Sequence, residues 1–241
     1  MSKIILIIPA YNEAQNIERL IEGIAEGYPE YDYIIVNDGS TDATYNICKQ
    51  QKFNVLNLPV NLGIGGAVQA GYLYAKQNGY QIAVQIDGDG QHDVAYVKNV
   101  IEPILQGKAD VVIGSRFISK GGFQTSSSRR LGIRILSSFI WLCTGKRIYD
   151  VTSGFRAVNS NFINIYSMDY PRDYPEPEAL VSAMVYGGKV KEVPVVMKER
   201  QGGKSSINLK RSIYYMIKVS LAIFIRRLSY GVRRDKGDKK K

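Results

Sequence analysis

Apolar and polar positions alternate along residues 3 to 115 with two different periods. Short β-branched runs at Lys3–Ile8, Tyr33–Val36, Phe53–Leu58, Gln81–Ile86 and Asp110–Ile113 have the length and composition of buried strands. Between them lie segments with helical spacing. Glu13–Gly27 carries Ile17, Leu20, Ile21 and Ile24 on one stripe, and Thr41–Gln51, Gly66–Gln77 and Val94–Leu105 follow. Strand–helix alternation of this kind predicts an α/β fold, a doubly wound, mostly parallel sheet with helices on both faces. From Arg116 the pattern loosens. It predicts a Gly/Ser-rich loop at Ser119–Ser128, a helix at Arg129–Cys143, a short strand at Gly154–Val158, a helix at Glu176–Tyr186 and a strand at Val190–Met197. A Gly-rich loop, Glu199–Ser206, and a long helix, Ile207–Tyr230, complete the chain, which shows no internal repeat.

Composition adds to this. The chain has 241 residues with 45% hydrophobic and 22% charged, which excludes disorder or a fibrous state as its main form. Cys48 and Cys143 are too far apart for a metal-ligand spacing and predict buried, reduced thiols. His92 is the only histidine, so a His-rich zinc site cannot be built. The apolar run Ile4–Ile8 is shorter than a signal-peptide core and predicts a chain that is not secreted.

Net charge is +10, and its distribution is uneven. Residues 1–115 hold 7 basic and 13 acidic residues, residues 116–156 hold 8 and 1, residues 157–199 hold 4 and 6, and residues 200–241 hold 13 and 2. The first two thirds are therefore acidic in one place and basic in another, and the excess sits at the C-terminus. That excess predicts a polyanionic partner, nucleic acid, an anionic membrane or phosphate-bearing substrates, and its place at the C-terminus favours a membrane surface over nucleic acid.

In doubly wound sheets ligands bind beyond the carboxyl ends of the strands, so the residues after each strand are candidates for chemistry. The first strand runs into Pro9-Ala10-Tyr11-Asn12-Glu13, where Pro9 is expected to end the strand and Asn12 to cap the next helix. The second runs into Asp38-Gly39-Ser40, where a carboxylate at the strand tip can accept hydrogen bonds from a ribose or base, and Ser40 or Thr41 can cap. The third leads to Asn61-Leu62-Gly63-Ile64-Gly65-Gly66-Ala67, which is not a dinucleotide fingerprint but allows close approach of a nucleotide backbone. The fourth ends in Asp87-Gly88-Asp89-Gly90-Gln91-His92-Asp93. Two carboxylates two residues apart can converge on one hard divalent cation that bridges a diphosphate. The fifth ends in Gly114-Ser115-Arg116 and opens the basic stretch with Arg129, Arg130 and Arg134. Ser153-Gly154-Phe155-Arg156 and Arg200-Gln201-Gly202-Gly203-Lys204-Ser205 follow, with guanidinium forks and a lysine suited to phosphate.

In this order the motifs resemble glycosyltransferase family 2, in its polyprenyl-phosphate branch, over about Lys3–Ser206. The resemblance implies a GT-A fold, Mg²⁺ or Mn²⁺, and a UDP- or GDP-sugar donor bound by Pro9, Ala10, Tyr11, Glu13, Asp38, Gly63, Asp87, Gly88 and Asp89. It makes Asp87, Asp89 and Gln91 the metal and diphosphate site. It places Gln91, Arg116, Arg130, Arg156, Arg200, Lys204 and Ser205 near acceptor and donor phosphates. The implied reaction is a single inverting displacement that leans on Asp89, Arg116 and Arg130. A lipid phosphate acceptor needs little or no general base, whereas a sugar hydroxyl would want one, for which Asp150, Glu176 and Glu178 are candidates. Trp141 is preceded by Phe139-Ile140, which departs from the Gln-x-x-Arg-Trp motif of processive members.

The C-terminus departs from relatives that continue into membrane spans. Ser212–Ile225 is about 14 residues with Lys218 inside, short of the ~20 a span needs. Arg211, Tyr215, Lys218, Ala222, Arg226 and Ser229 form one stripe. Ile213, Met216, Ile217, Leu221, Phe224 and Ile225 form the other face, which suits an interfacial helix beside an anionic membrane. The reading divides the chain into a catalytic domain, 1–206, and an anchor, 207–241, peripheral on the cytoplasmic face of the membrane. A small membrane protein, a homo-oligomer or a longer chain would also fit such an end. A haloacid-dehalogenase-type phosphatase wants Thr or Val where Gln91 stands. A sugar nucleotidyltransferase wants an Arg-containing glycine loop after the first strand. A non-catalytic membrane or nucleic-acid module leaves Asp87 and Asp89 without a role.

Overall fold

A computed structural model describes residues 2–118, 127–198, 216–225 and 227. In chain order the elements are β1 (Ile4–Ala10), α1 (Ile17–Gly27), β2 (Asp32–Asn37), α2 (Thr44–Gln50), β3 (Val55–Asn57), α3 (Gly63–Gln77), β4 (Ile82–Gln85), α4 (Val97–Leu105), β5 (Val111–Ser115), α5 (Ser127–Thr144), β6 (Arg156–Asn159), α6 (Ser160–Met168), α7 (Pro175–Val185) and β7 (Val190–Pro194). A helix over residues 216–225 lies beyond them.

The seven strands form one sheet in the order β3-β2-β1-β4-β6-β5-β7. All pairings are parallel except those of β6, which runs antiparallel to both β4 and β5. Alternation along β1 explains why the sheet is buried on both faces. Ile5 and Ile7 point into one core with α3, α6 and α7, and Leu6 and Ile8 into the other with α1 and α4. Burying such side chains contributes roughly 1.5–3 kcal/mol each before the entropy of ordering is subtracted.

Three local expectations are corrected. Pro9 lies inside β1, paired with Val36. The Ile86 N–H donates to the Ile7 carbonyl and the β1–β4 ladder ends there, so the N–H that Pro9 lacks removes no bond on that side. Asn12 does not cap α1. At φ 57° it turns its side chain to accept N–H groups from Thr41 at 2.8 Å and Asp42 at 3.3 Å. At the start of α2, Asp42 rather than Ser40 or Thr41 accepts the Thr44 N–H at 2.9 Å. Most glycines of the third-strand loop serve packing: a Cβ on Gly65 would stand 2.2 Å from the Pro171 carbonyl oxygen. The helix α6 was not expected; Asn159 caps it by accepting the Phe162 N–H at 3.1 Å.

The helix over 216–225 divides its apolar residues. Val219 and Ile223 are fully buried in the core beside α5, while Ile217, Leu221, Phe224 and Ile225 are exposed. On α5, Ile133, Leu136 and Ile140 face inward and Leu131, Ile135 and Leu142 face outward. No described helix is long and apolar enough to cross a membrane.

Candidate active site

A cavity of about 460 Å³ opens where the sheet order reverses around β1, at the carboxyl ends of β1, β2 and β4. Pro9, Ala10, Tyr11 and Glu13 form the wall after β1, and Asp38 the wall after β2. Asn61, Gly63, Ile64 and Ala67 come from the start of α3, and Asp87, Gly88 and Asp89 follow β4. Every residue expected to contact the donor is thus brought to one cavity. The far wall adds Glu176 from the first turn of α7. Glu178, two residues on, is not among the lining residues.

Asp38 is buried, and its Oδ1 accepts the Leu62 N–H at 2.7 Å, which ties the tip of β2 to the loop before α3. Asp89 is also buried and accepts the Gln91 N–H at 3.0 Å. Gln91 supports this turn through its backbone: its carbonyl accepts the Lys198 N–H, and its side chain is not part of the cavity wall. Among the described residues no three Asp, Glu, His or Cys side chains converge. Asp87 and Asp89 therefore offer two hard oxygen donors, chemistry that would suit Mg²⁺ or Mn²⁺.

Two residues hold Asp87 where it is. Gly154 lies against it: an added Cβ would stand 2.9 Å from Asp87 Oδ1 and 3.3 Å from Gln85 Nε2. Gly154→Ala is expected to push the flexible carboxylate aside rather than the backbone. Calorimetry with Mn²⁺ and nucleoside diphosphate should then show weaker binding, with the thermal melt changed little. The second is His92, which is buried and stacked on Phe155 at 5.0 Å. Its Nδ1 accepts the Asp87 N–H at 2.9 Å, which makes Nε2 the protonated nitrogen, 3.6 Å from Asp87 Oδ2. Burial holds its pKa down, from 6.5 to about 4. A depressed pKa gives stability that is complete above 6.5 and is lost as pH falls through about 4, because the unfolded chain takes the proton first. Thermal melts at pH 7 and pH 4.5 should fall more on acidification in the native protein than in His92→Gln.

The basic side of the site lies next to this cavity. Arg116, at the end of β5, is buried and clamped by Asp150, which accepts Nε at 2.8 Å, Nη2 at 2.7 Å and the Arg116 N–H at 3.0 Å. Burial works against the guanidinium charge, but the Asp150 carboxylate outweighs it and raises the pKa. Asp150 is fully buried and engaged in this pair, so it acts as a holder of Arg116 and not as a base. Arg116 and Arg130 both stack on Phe117, each 5.5 Å from the ring centre. Behind them a second cavity, about 500 Å³, is lined by Phe117, Arg130, Arg134, Ser137, Ser138, Arg147 and Tyr149, with no carboxylate among the described lining residues. Arg130 and Arg134 belong to the basic stretch that the sequence marks, and their i, i+4 spacing on α5 is a signal that could have grouped them. Arg147 and Tyr149 carry no such signal, because only the tertiary fold folds their loop against α5.

Arg156 is corrected. It is 2% exposed and spends its donors on the carbonyls of Ser153 at 2.8 Å, Glu176 at 2.5 Å and Val151 at 3.3 Å. It fastens the start of α7, and hence Glu176, to the sheet and does not reach a phosphate. Arg200, Lys204 and Ser205 lie outside the described residues, as do most of the basic residues after 225.

The glycosyl transferase family 2 model matches residues 5–166. The polyprenol monophosphomannose synthase of Mycolicibacterium smegmatis is 26% identical over 226 residues, covering 90% of this chain and 85% of that one. The UDP-N-acetylglucosamine–dolichyl-phosphate N-acetylglucosaminyltransferase of Methanococcus voltae is 32% identical over 215 residues, covering 80% and 84%. Among solved structures, glucosyl-3-phosphoglycerate synthase of Mycobacterium tuberculosis with Mn²⁺, UDP-glucose and phosphoglyceric acid superposes with a TM-score of 0.72. It is 21% identical and covers 94% of this chain and 80% of its own, a likeness of fold. Fold, ordered strand-end motifs and family match agree: the chain is a member of glycosyl transferase family 2.

Proposed function

We propose that this protein transfers a sugar from a nucleotide-diphosphate sugar to a polyprenyl phosphate, undecaprenyl or dolichyl, by one inverting displacement at the cytoplasmic membrane face. The observation that carries the reading is that Arg116 links two cavities: it is near enough to Asp87 and Glu176, on the wall of the one that also holds Asp38 and Asp89, for their charges to act on it, and it stacks on Phe117 of the other, which is walled by Arg130, Arg134 and Arg147. The two named relatives, a polyprenol monophosphomannose synthase and a dolichyl-phosphate N-acetylglucosaminyltransferase, support it.

Asp38, Tyr11 and Pro9 would orient the nucleoside. Asp87 and Asp89 would hold Mg²⁺ or Mn²⁺, which when bound neutralises the charge of the departing diphosphate. A phosphomonoester, with a second pKa of about 6, is already anionic near neutral pH and needs little or no general base. The arginines then need only fix its oxygen in line with the anomeric carbon. Engagement of Asp150 by Arg116 and the absence of Glu178 from the cavity wall remove two of the three candidate bases for a hydroxyl acceptor, which favours the phosphate. The exposed Leu131, Ile135 and Leu142 of α5 and Ile217, Leu221 and Phe224 of the 216–225 helix offer an apolar surface for a bilayer.

The test is a screen of labelled UDP- and GDP-sugars with polyprenyl phosphate in anionic vesicles, with and without Mn²⁺. Metal-dependent labelled lipid is expected with one donor. Labelled product with every metal chelated would overturn the metal role.

A further inference from the structure

Glu192 stands in the middle of β7, one of the two edge strands of the sheet, and no part of the donor cavity includes it. Its carboxylate reaches across to the loop between α5 and β6. Oε2 accepts the Tyr149 N–H and Oε1 accepts the Asp150 N–H, both at 2.8 Å. One carboxylate thus seats two consecutive backbone donors, and no neutral side chain of that size offers two acceptors in that fork. The same loop is fixed at its flanks, where the Ser137 hydroxyl donates to the Ile148 carbonyl and Arg156 donates to the Val151 carbonyl.

What the loop carries gives Glu192 its consequence. On one side of the seated pair Asp150 clamps Arg116 through three hydrogen bonds. On the other, Tyr149 supports Arg147, whose guanidinium lies 5.4 Å from its ring centre, and both line the arginine cavity. A small rotation of the Tyr149–Asp150 peptide would therefore move the Arg116 clamp and the Arg147 wall together. Charge alone does not explain the choice of residue, since burial, and to a smaller degree the Asp150 carboxylate, disfavour an anion there and raise the Glu192 pKa. The hydrogen bonds explain it: the Tyr149 and Asp150 N–H groups, with a further bond from Ser115, favour the charged carboxylate.

We propose that Glu192 is a positioning residue that sets the geometry of the acceptor-phosphate site through the Tyr149–Asp150 backbone. The acceptor part of this inference rests on the polyprenyl-phosphate reading above; the anchoring part does not. Glu192→Gln keeps the size of the side chain but turns an NH₂ toward one of the two N–H groups. Two measurements on the full chain separate the cases. Hydrogen exchange should be faster at the Tyr149 and Asp150 amides and unchanged in β1 and α3. In steady-state transfer the KM for polyprenyl phosphate should rise by about tenfold, the scale of one lost buried hydrogen bond, with kcat within about threefold and nucleoside diphosphate affinity unchanged. Unchanged exchange overturns the proposal, and so does faster exchange with donor and acceptor affinity reduced alike, which would mark a general loosening. If the native protein gives no product on any polyprenyl phosphate, the acceptor reading has failed. Faster exchange in Glu192→Gln then still upholds the anchoring role, and unchanged exchange refutes it.

Discussion

Asp89→Asn is expected to lower sugar transfer by about 10²–10³-fold, the range seen when one preorganised contact to developing charge is removed. Asp89 sits at the carboxyl end of β4 with its Oδ1 on the Gln91 N–H, 3.0 Å away. Asparagine keeps an oxygen for that N–H, so the turn and the fold persist. What disappears is the charge of one of the two carboxylates proposed to hold the metal beside the diphosphate. Binding of Mn²⁺ together with nucleoside diphosphate should weaken in calorimetry, while the far-ultraviolet spectrum and melting temperature stay close to those of the native protein. Asp87→Asn should behave alike for transfer. It should also disturb the contact with His92 Nε2, which lies 3.6 Å from Asp87 Oδ2. Transfer within about twofold of native in Asp89→Asn would remove this residue from the chemistry.

The second large effect is on stability. Asp150→Ala leaves the Arg116 guanidinium charged and buried with its principal partner gone, and breaking a buried pair in this way costs about 3–5 kcal/mol. For a chain of this size that lowers the melting temperature by roughly 6–20 °C. Replacing both, as Arg116→Met with Asp150→Leu, should restore much of the lost stability, because no charge is then left unpaired. Transfer should not be restored, because the double variant lacks the Arg116 guanidinium beside Asp87 and Glu176. Thermal melts and transfer measured on the same three proteins would separate the two roles. A double variant that melts as low as Asp150→Ala would mean that the pair does not carry the destabilisation.

How much of this could be read in the chain beforehand depends on the range of the interaction. The strands of the first half and the residues after them were legible because each motif is local: Asp38, Gly63, Asp87 and Asp89 lie within a few residues of a strand end, and a doubly wound sheet brings such ends together. The antiparallel strand β6 was not legible as such. Its residues look like any short apolar run, and its direction is set by pairing with β4 and β5, which are far away in sequence. Arg156 was misread for a related reason. An arginine beside glycine and serine suits a phosphate, and only the fold shows that three carbonyls converge on it inside the protein. Glu192 lies in an ordinary edge strand and is marked only by where its two oxygens end. The helix 216–225 divides in a way its apolar pattern did not show, since Val219 and Ile223 pack on the core while Leu221 and Phe224 face outward.

The central claim is that the arginine-lined cavity takes a phosphate as the nucleophile. The most direct measurement offers the same donor two lipids that differ in one group, a polyprenyl phosphate and the corresponding free polyprenol, in identical vesicles with Mn²⁺. Sugar should pass to the phosphate-bearing lipid only, and Arg130→Ala with Arg134→Ala should raise its KM while leaving nucleotide affinity unchanged. Equal transfer to the free alcohol, or transfer to a sugar hydroxyl with neither lipid required, would contradict it.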